Sequence, residues 1–182
     1  MARKERVCRG KTMKPNYFVF CEGETEVAYV EILRAHYRLP IRIIAKKTLQ
    51  NVTPSLVERC KAAYIQTYND HTYLMYDLDV TTMLERLRKV KEATLLCTNP
   101  CFELWLLLHY AEANGGMTSE ECVDRLTLYM KKYKKGVIGT EEKTQLMMNV
   151  VTAIRRAKNL KEYANPSTTV YLLLEDLNNL KK

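Results

Sequence analysis

The sequence predicts an α/β fold: a mostly parallel sheet of about four strands sandwiched by helices, followed by a C-terminal helical extension. Three observations predict it. Short apolar runs rich in β-formers alternate with segments of helical periodicity as far as residue 113. Asn or Thr followed by proline opens two of the helical segments. A break at 112–121, "EANGGMTSEE", then separates this alternation from a stretch that reads as helix throughout.

In chain order, "YFVFC" at 17–21 is a continuous run that suits a strand buried on both faces. Val27, Val30 or Tyr29, Ile32, Leu33 and Tyr37 follow helical spacing up to Pro40. "IRIIA" at 41–45 is a second strand. Thr53 and Pro54 open a helix through Leu56, Val57, Cys60, Ala63 and Tyr64. "TYLMYD" at 72–77 is a third strand, "MLERLRKVKE" from 83 a third helix and "ATLLCT" at 93–98 a fourth strand. Asn99 and Pro100 start a helix running to about 113. Strands alternating with helices at these distances imply right-handed crossovers and helices on both faces. Beyond the break, helices are expected at about 119–133, at 141–162 with Leu146, Val150, Ile154 and Ala157, and at 169–181 behind the turn "NPST". The expected organisation is a basic N-terminal tail (1–14), an α/β core (15–113) and a helical extension (117–182) packed on it as a single structural domain.

Composition supports an ordinary globular chain, with 47% hydrophobic and 27% charged among 182 residues. The runs "LWLLL" at 104–108 and "YLLL" at 171–174 fall far short of the roughly 20 apolar residues that span a bilayer. The start "MARKERVCRGKTMKPN" lacks the apolar core of a signal peptide. A cytoplasmic protein with no membrane partner is the expectation. Cysteines at 8, 21, 60, 97, 101 and 122 form no C-x-x-C pair, which fits reduced core thiols better than disulfides or zinc. Lys and Arg outnumber Asp and Glu by 29 to 21 and gather in the N-terminal tail, "RLRKVK" at 86–91, "KKYKK" at 131–135 and "RRAKNLK" at 155–161. That excess permits a nucleic-acid partner without requiring one.

The acidic residues cluster differently. Glu22 follows the first strand, and Asp77 and Asp79 close the third. Ligands of open α/β sheets bind beyond the carboxyl ends of the strands, so adjacent placement of these two strands would bring the carboxylates to one edge. Like charges so close force one group to take up a proton unless a cation sits among them. Mg²⁺ or Mn²⁺, binding a few carboxylates and a phosphate-bearing substrate, is the natural solution. Gly23 fits a strand-to-helix turn that calls for positive φ. Without Glu22 upstream, Asp77 and Asp79 would read as loop residues capping the next helix. Glu24, out of phase with Glu22 and Glu26, reads as a solvated first-turn glutamate.

A strand ending in Glu-Gly, with Asp-x-Asp closing a later strand of the same sheet, resembles the Toprim domain of topoisomerases, primases and related nucleases. "CEGETE" at 21–26, "TNPCFELWLLLHY" at 98–110 and "NPSTTVYLL" at 165–173, together with the Asp-x-Asp, resemble the RloB-like family of bacterial phage-defence proteins. The resemblance covers the chain from about residue 15 to its end. It implies a metal-dependent nuclease, often encoded beside an ABC- or AAA-type ATPase and associated with abortive phage defence. Glu22 would be a metal ligand or general acid/base, Asp77 and Asp79 metal ligands, and Glu26 a ligand for a second cation. The sequence "DLDVTT" lacks the further acidic residues that often follow the aspartate pair.

Glu103 lies in a helix that is apolar on nearly every side, so its carboxylate must find a cation, a donor or a proton. It either faces the metal site, with Asn99 nearby, or rests in the field of its own first turn. His109 reads first as a partly buried helix residue rather than a metal ligand. Lys131, Lys132, Lys134 and Lys135 flank Tyr133, which reads as a wet helix end or as a phosphate-tracking surface with one stacking ring. Asn165 and Ser167 read as a helix-start turn, and the resemblance adds them as secondary substrate-binding candidates. The expected reaction is phosphodiester hydrolysis of DNA or RNA at Mg²⁺ or Mn²⁺, with Lys135 steadying the scissile phosphate. The absence of a Tyr-bearing cleavage domain or polymerase module argues against topoisomerase and full primase roles. The alternative is a non-catalytic nucleic-acid-binding or regulatory subunit of an ATPase-linked complex, and a homo-oligomer is compatible with either reading.

Overall fold

The structure is a computed structural model that describes residues 14–39, 41–45, 52–80 and 82–179. Its elements run β1 (Tyr17–Cys21), α1 (Glu24–Tyr37), β2 (Ile41–Ala45), α2 (Pro54–Lys61), β3 (His71–Asp77), α3 (Met83–Leu87) and β4 (Ala93–Asn99). They continue with α4 (Glu103–Leu107), α5 (Ser119–Thr127), α6 (Thr140–Lys158), β5 (Ser167–Thr168) and α7 (Tyr171–Asn179). Most of the basic tail lies outside the described residues.

The sheet has the order β2-β1-β3-β4-β5; the first four strands are parallel and β5 is antiparallel to β4. Alternation along β1 explains why it is apolar at every position. Tyr17, Val19 and Cys21 enter one core with α1 and α4 to α7, whereas Phe18 and Phe20 enter a second core with α2 and α3. The chain leaves β1 for β2 on one side and then returns to β3 on the other side. Strand order therefore reverses between β1 and β3, which is where open α/β sheets form their binding crevice. This mostly parallel sheet with helices on both faces is consistent with a Toprim-like fold. Among the described residues no helix is long and apolar enough to cross a membrane.

Local signals account for several boundaries. Thr53 accepts a hydrogen bond from the Leu56 amide at 3.2 Å and Pro54 occupies the first turn of α2. Thr118 and Glu121 form a reciprocal capping box at the start of α5. Glu24 and Glu26 sit in the first turn of α1, which ends at Arg38 in the left-handed region, φ 54°.

Three expectations are corrected. The C-terminal part is not helical throughout, because Ser167 and Thr168 pair with Asn99 and Thr98 as a fifth strand. The edge of β4 is held further by threonines: Thr98 and Thr168 share a hydroxyl bond at 2.9 Å, and Thr169 exchanges bonds with Cys97 and Leu95. Asn99 is consequently the last residue of β4 rather than a helix cap, and α4 begins only at Glu103. The helices from 83, from 99 and from 119 are also shorter than their periodicity implies. Beyond Leu107 the chain stays coiled through i→i−3 bonds, His109 to Leu106 at 3.1 Å and Tyr110 to Leu107 at 2.8 Å, so the apolar pattern persists while the α-helix does not.

Candidate functional site

Register sets the first contact. Cys21 is paired with Met75, so Glu22 leaves β1 level with the last two residues of β3. The Glu22 amide donates to the Met75 carbonyl at 3.3 Å, and the Asp77 amide donates to Glu22 Oε2 at 3.4 Å. Glu26, one helical turn after Glu22, is only 3% exposed. Gly23 holds an extended φ of −117°, which corrects the expectation of positive φ. Its requirement is spatial, since a Cβ there would stand 2.6 Å from Glu26 Oε2.

Electrostatics show which groups share this edge. The Asp77 carboxyl is held up at about 9, first by burial and then by the charges of Glu26, Cys101, Glu103 and Glu22. Glu26 is raised to about 7 by burial; its own backbone amide opposes the shift, Glu103 and Glu22 reinforce it, and Lys135 opposes it. Burial also raises Glu22, with the Asp77 amide and Lys135 lowering it and Asp79 raising it. Glu22, Glu26, Asp77 and Glu103 thus repel one another at the end of β1 and β3, and exposed Asp79 adds to the same field. Lys135, also exposed, supplies the opposing positive charge.

The carboxylates line a common edge without closing on a point. Among the described residues, no three or more His, Cys, Asp or Glu side chains are grouped so as to hold a metal ion. The donor set is nonetheless all oxygen and half-buried or buried apart from Asp79, which suits a hard divalent cation and not a soft one.

Glu103 is 2% exposed and has different company. Its Oε1 accepts from the Tyr133 hydroxyl and from Thr25 Oγ1 at 3.4 Å. Thr25 is fully buried, stands 3.2 Å from the Tyr133 hydroxyl and accepts from the Gly136 amide at 3.0 Å. Gly136 has φ 77°, and an added Cβ would meet the Glu24 Cβ at 2.8 Å. This junction ties the loop 133–137 to the start of α1 and delivers Lys135 to Glu22 and Glu26.

The Tyr133 hydroxyl is turned inward onto Glu103, so this half-buried residue is anchored in the junction rather than standing free among the lysines. Lys131, Lys132 and Lys134 remain exposed. Lys131 and Lys132 line a separate cavity of about 300 Å³ with Tyr110, Tyr129, Glu141 and Glu142. Asn99, half-buried, donates to the Tyr163 carbonyl at 3.5 Å. Asn165 commits both ends of its amide to the Met117 backbone, at 3.1 and 2.8 Å. Ser167 is buried in β5. Asn165, which is exposed, thus ties the turn before β5 to the loop before α5. His109 packs against Trp105 and Tyr29 and donates from Nδ1 to the Trp105 carbonyl at 2.9 Å. Cysteines 21, 60, 97, 101 and 122 are buried free thiols.

Thr25 and Cys101 were not distinguished in the sequence. The one signal for Thr25 is its phase, since positions 25, 29, 32 and 33 share the buried face of α1. Cys101 carries no such signal; its place beside Asp77 and Glu103 follows from the tight turn between β4 and α4.

No curated protein and no solved structure matches the chain. A family model described as RloB-like protein matches residues 17–177, from the first residue of β1 to within α7. With that match extending over nearly all of the described fold, the chain belongs to the RloB-like family.

Proposed function

We propose that the chain is a Toprim-like, Mg²⁺- or Mn²⁺-dependent nuclease that hydrolyses phosphodiester bonds of DNA or RNA, acting in the cytoplasm as an effector of anti-phage defence. The observation that carries this reading is the meeting of Glu22 and Asp77 at the β1/β3 switch point, with Glu26 buried behind them and Lys135 in front. A bound divalent cation would supply charge neutralisation at the phosphoryl group and a more acidic water. Glu22, Asp77 and Asp79 are the residues that would hold it, with Glu26 able to support a second ion. Glu103 is already engaged by Tyr133 and Thr25 and acts by fixing the loop that carries Lys135.

The chain's own groups then divide the work. Glu22 is half-buried and its pKa is raised by burial, which favours its protonated form, so it would serve as a metal ligand or as the group that accepts and returns a proton. The Lys135 ammonium lies within reach of the Glu22 charge and can contact a non-bridging phosphate oxygen, holding the scissile phosphate at the sheet edge. The exposed lysines at 131, 132 and 134 extend this positive surface for sequence-independent backbone contacts.

The test is cleavage of labelled DNA and RNA by purified protein in Mg²⁺, Mn²⁺ or EDTA, beside Glu22→Gln and with calorimetric titration of Mn²⁺. Metal-dependent cutting that disappears in Glu22→Gln supports the proposal. A wild-type chain that neither binds Mn²⁺ nor cuts, while remaining folded, overturns it.

A further inference from the structure

On the α3 side of β4, next to the acidic edge, Arg88 lies with its guanidinium carbon 5.6 Å from the centre of the Tyr163 ring. Arg88 is exposed and has no carboxylate partner among the described ion pairs. Tyr163 is half-buried and sits at φ 61°, a left-handed conformation that a bulky side chain rarely adopts. Such backbone persists only when its surroundings over-determine it, and it concentrates at functional positions. Here the restraint includes the Asn99 side-chain amide, which donates to the Tyr163 carbonyl. Asn99 is the residue after Thr98, the β4 partner of Asp77, so the Tyr163 turn is wired to the carboxyl end that carries the acids. The Cys97 thiol lies within the fields of both Arg88 and Asp77. The neighbouring carboxylate, Glu162, is engaged by the Tyr171 hydroxyl at 3.3 Å. Lys161 adds exposed positive charge.

We propose that Arg88 and Tyr163 form a clamp for one nucleotide of a single strand, adjoining the acidic edge. The proposal rests on the nuclease reading for its biological meaning and deepens it by naming the substrate class. An exposed guanidinium over an aromatic ring offers a planar face on which a base stacks, while its N–H edge takes a phosphate oxygen. Only an unpaired, unstacked base offers its face to such a platform, so duplex is excluded there. The Asn99 amide ties the Tyr163 turn to the end of β4, the strand that pairs with the one ending in Asp77.

Binding measured in EDTA separates this clamp from catalysis. Fluorescence anisotropy with labelled single-stranded DNA and RNA oligonucleotides, and with the matching duplex, is compared for wild type, Arg88→Ala, Arg88→Lys, Tyr163→Leu and Tyr163→Phe. Arg88→Ala and Tyr163→Leu are expected to weaken single-strand binding about tenfold, as loss of one stacked base does. Tyr163→Phe keeps the ring and binds within about twofold of wild type, whereas Arg88→Lys keeps charge without the plane and falls between. Arg88→Ala also lowers the slope of log affinity against log salt by about one. Because binding is read in EDTA, where the proposed metal-dependent cutting does not run, loss of the clamp and loss of cutting are distinguishable. The proposal is overturned if wild type binds no single strand, if Arg88→Ala binds as wild type, or if duplex suffers the larger loss. Arg88 is exposed, so its variant reports on binding even where Tyr163→Leu disturbs the turn.

Discussion

Neutralising Asp77 should stabilise the metal-free protein, and the sign follows from its protonation. Asp77 titrates at about 9 in the folded chain against 3.8 ordinarily, and Glu26 at about 7 against 4.5. Between those values the folded state holds protons that the unfolded chain has released. Stability is therefore full at the acid end and falls as pH rises, Glu26 completing its loss near pH 7 and Asp77 near pH 9. Each such pH unit removes about 1.4 kcal/mol, so the roughly 3 units from pH 4 to neutrality set a ceiling of about 4 kcal/mol for Asp77. Protonating Asp77 relieves Glu26 as well, and the edge is partly wet, so about 2 kcal/mol is the working expectation. For a chain of this size that amounts to about 4–8 °C in Tm. Thermal melts followed by circular dichroism in EDTA, from about pH 5 to about pH 8.5, test it. Wild-type Tm should fall with rising pH, and Asp77→Asn should melt higher at neutrality with a flatter profile. Saturating Mn²⁺ should raise the wild-type Tm and leave Asp77→Asn nearly unmoved. A variant melting below wild type in EDTA at neutral pH, or a wild-type profile without slope, would refute the reasoning.

Lys135→Met removes the positive charge that lowers Glu22 and Glu26, so both acids rise further and cleavage should fall about 100-fold in kcat with the circular dichroism spectrum unchanged. Tyr133→Phe withdraws a donor from buried Glu103 and should cost about 1–3 kcal/mol in urea unfolding; equal midpoints for variant and wild type would remove Tyr133 from the junction. Gly136→Ala places a Cβ 2.8 Å from the Glu24 Cβ at φ 77° and should lower stability by at least about 1 kcal/mol. Because it displaces the loop of Lys135, its cleavage defect should match that of Lys135→Met in the same assay.

The parallel sheet was legible because its strands are buried on both faces, which writes them as unbroken apolar runs. The runs at 17–21 and 41–45 coincide with β1 and β2, and those at 72–77 and 93–98 fall one residue short of β3 and β4. Two-residue β5 has no periodicity to read, and its existence depends on what Thr98 and Asn99 offer across space. Helix lengths were over-read at 83, 99 and 119 because i→i−3 turns bury nearly the same positions as an α-helix. At the site, Glu22 and Asp77 could be placed together by the rule that ligands sit at strand carboxyl ends. Tyr133 could not: four flanking lysines imply solvent, yet the turn at Gly136 folds the loop back so that its hydroxyl meets Glu103. The partners of a buried donor come from elements distant in sequence, and here they lie 108 and 30 residues away.

The distribution of donors separates the acids of this edge into two kinds. Glu103 is more buried than Glu22 or Asp77, yet it is supplied with two hydroxyl donors, so its charge is satisfied by the protein itself. The Asp77 carboxylate accepts no hydrogen bond from any described residue, and Glu22 receives only the Asp77 amide at 3.4 Å. Holding such acids at a sheet edge costs stability, since Asp77 must take up a proton in the folded metal-free chain. Acids this short of donors, level with one another at the switch point and opposite one lysine, are the groups that the proposed cation would satisfy. Under the proposal that cation takes several oxygens and leaves room for a phosphate beside Lys135. Glu103 belongs to the structure that holds the lysine, and Glu22 and Asp77 are the acids left for the proposed cation.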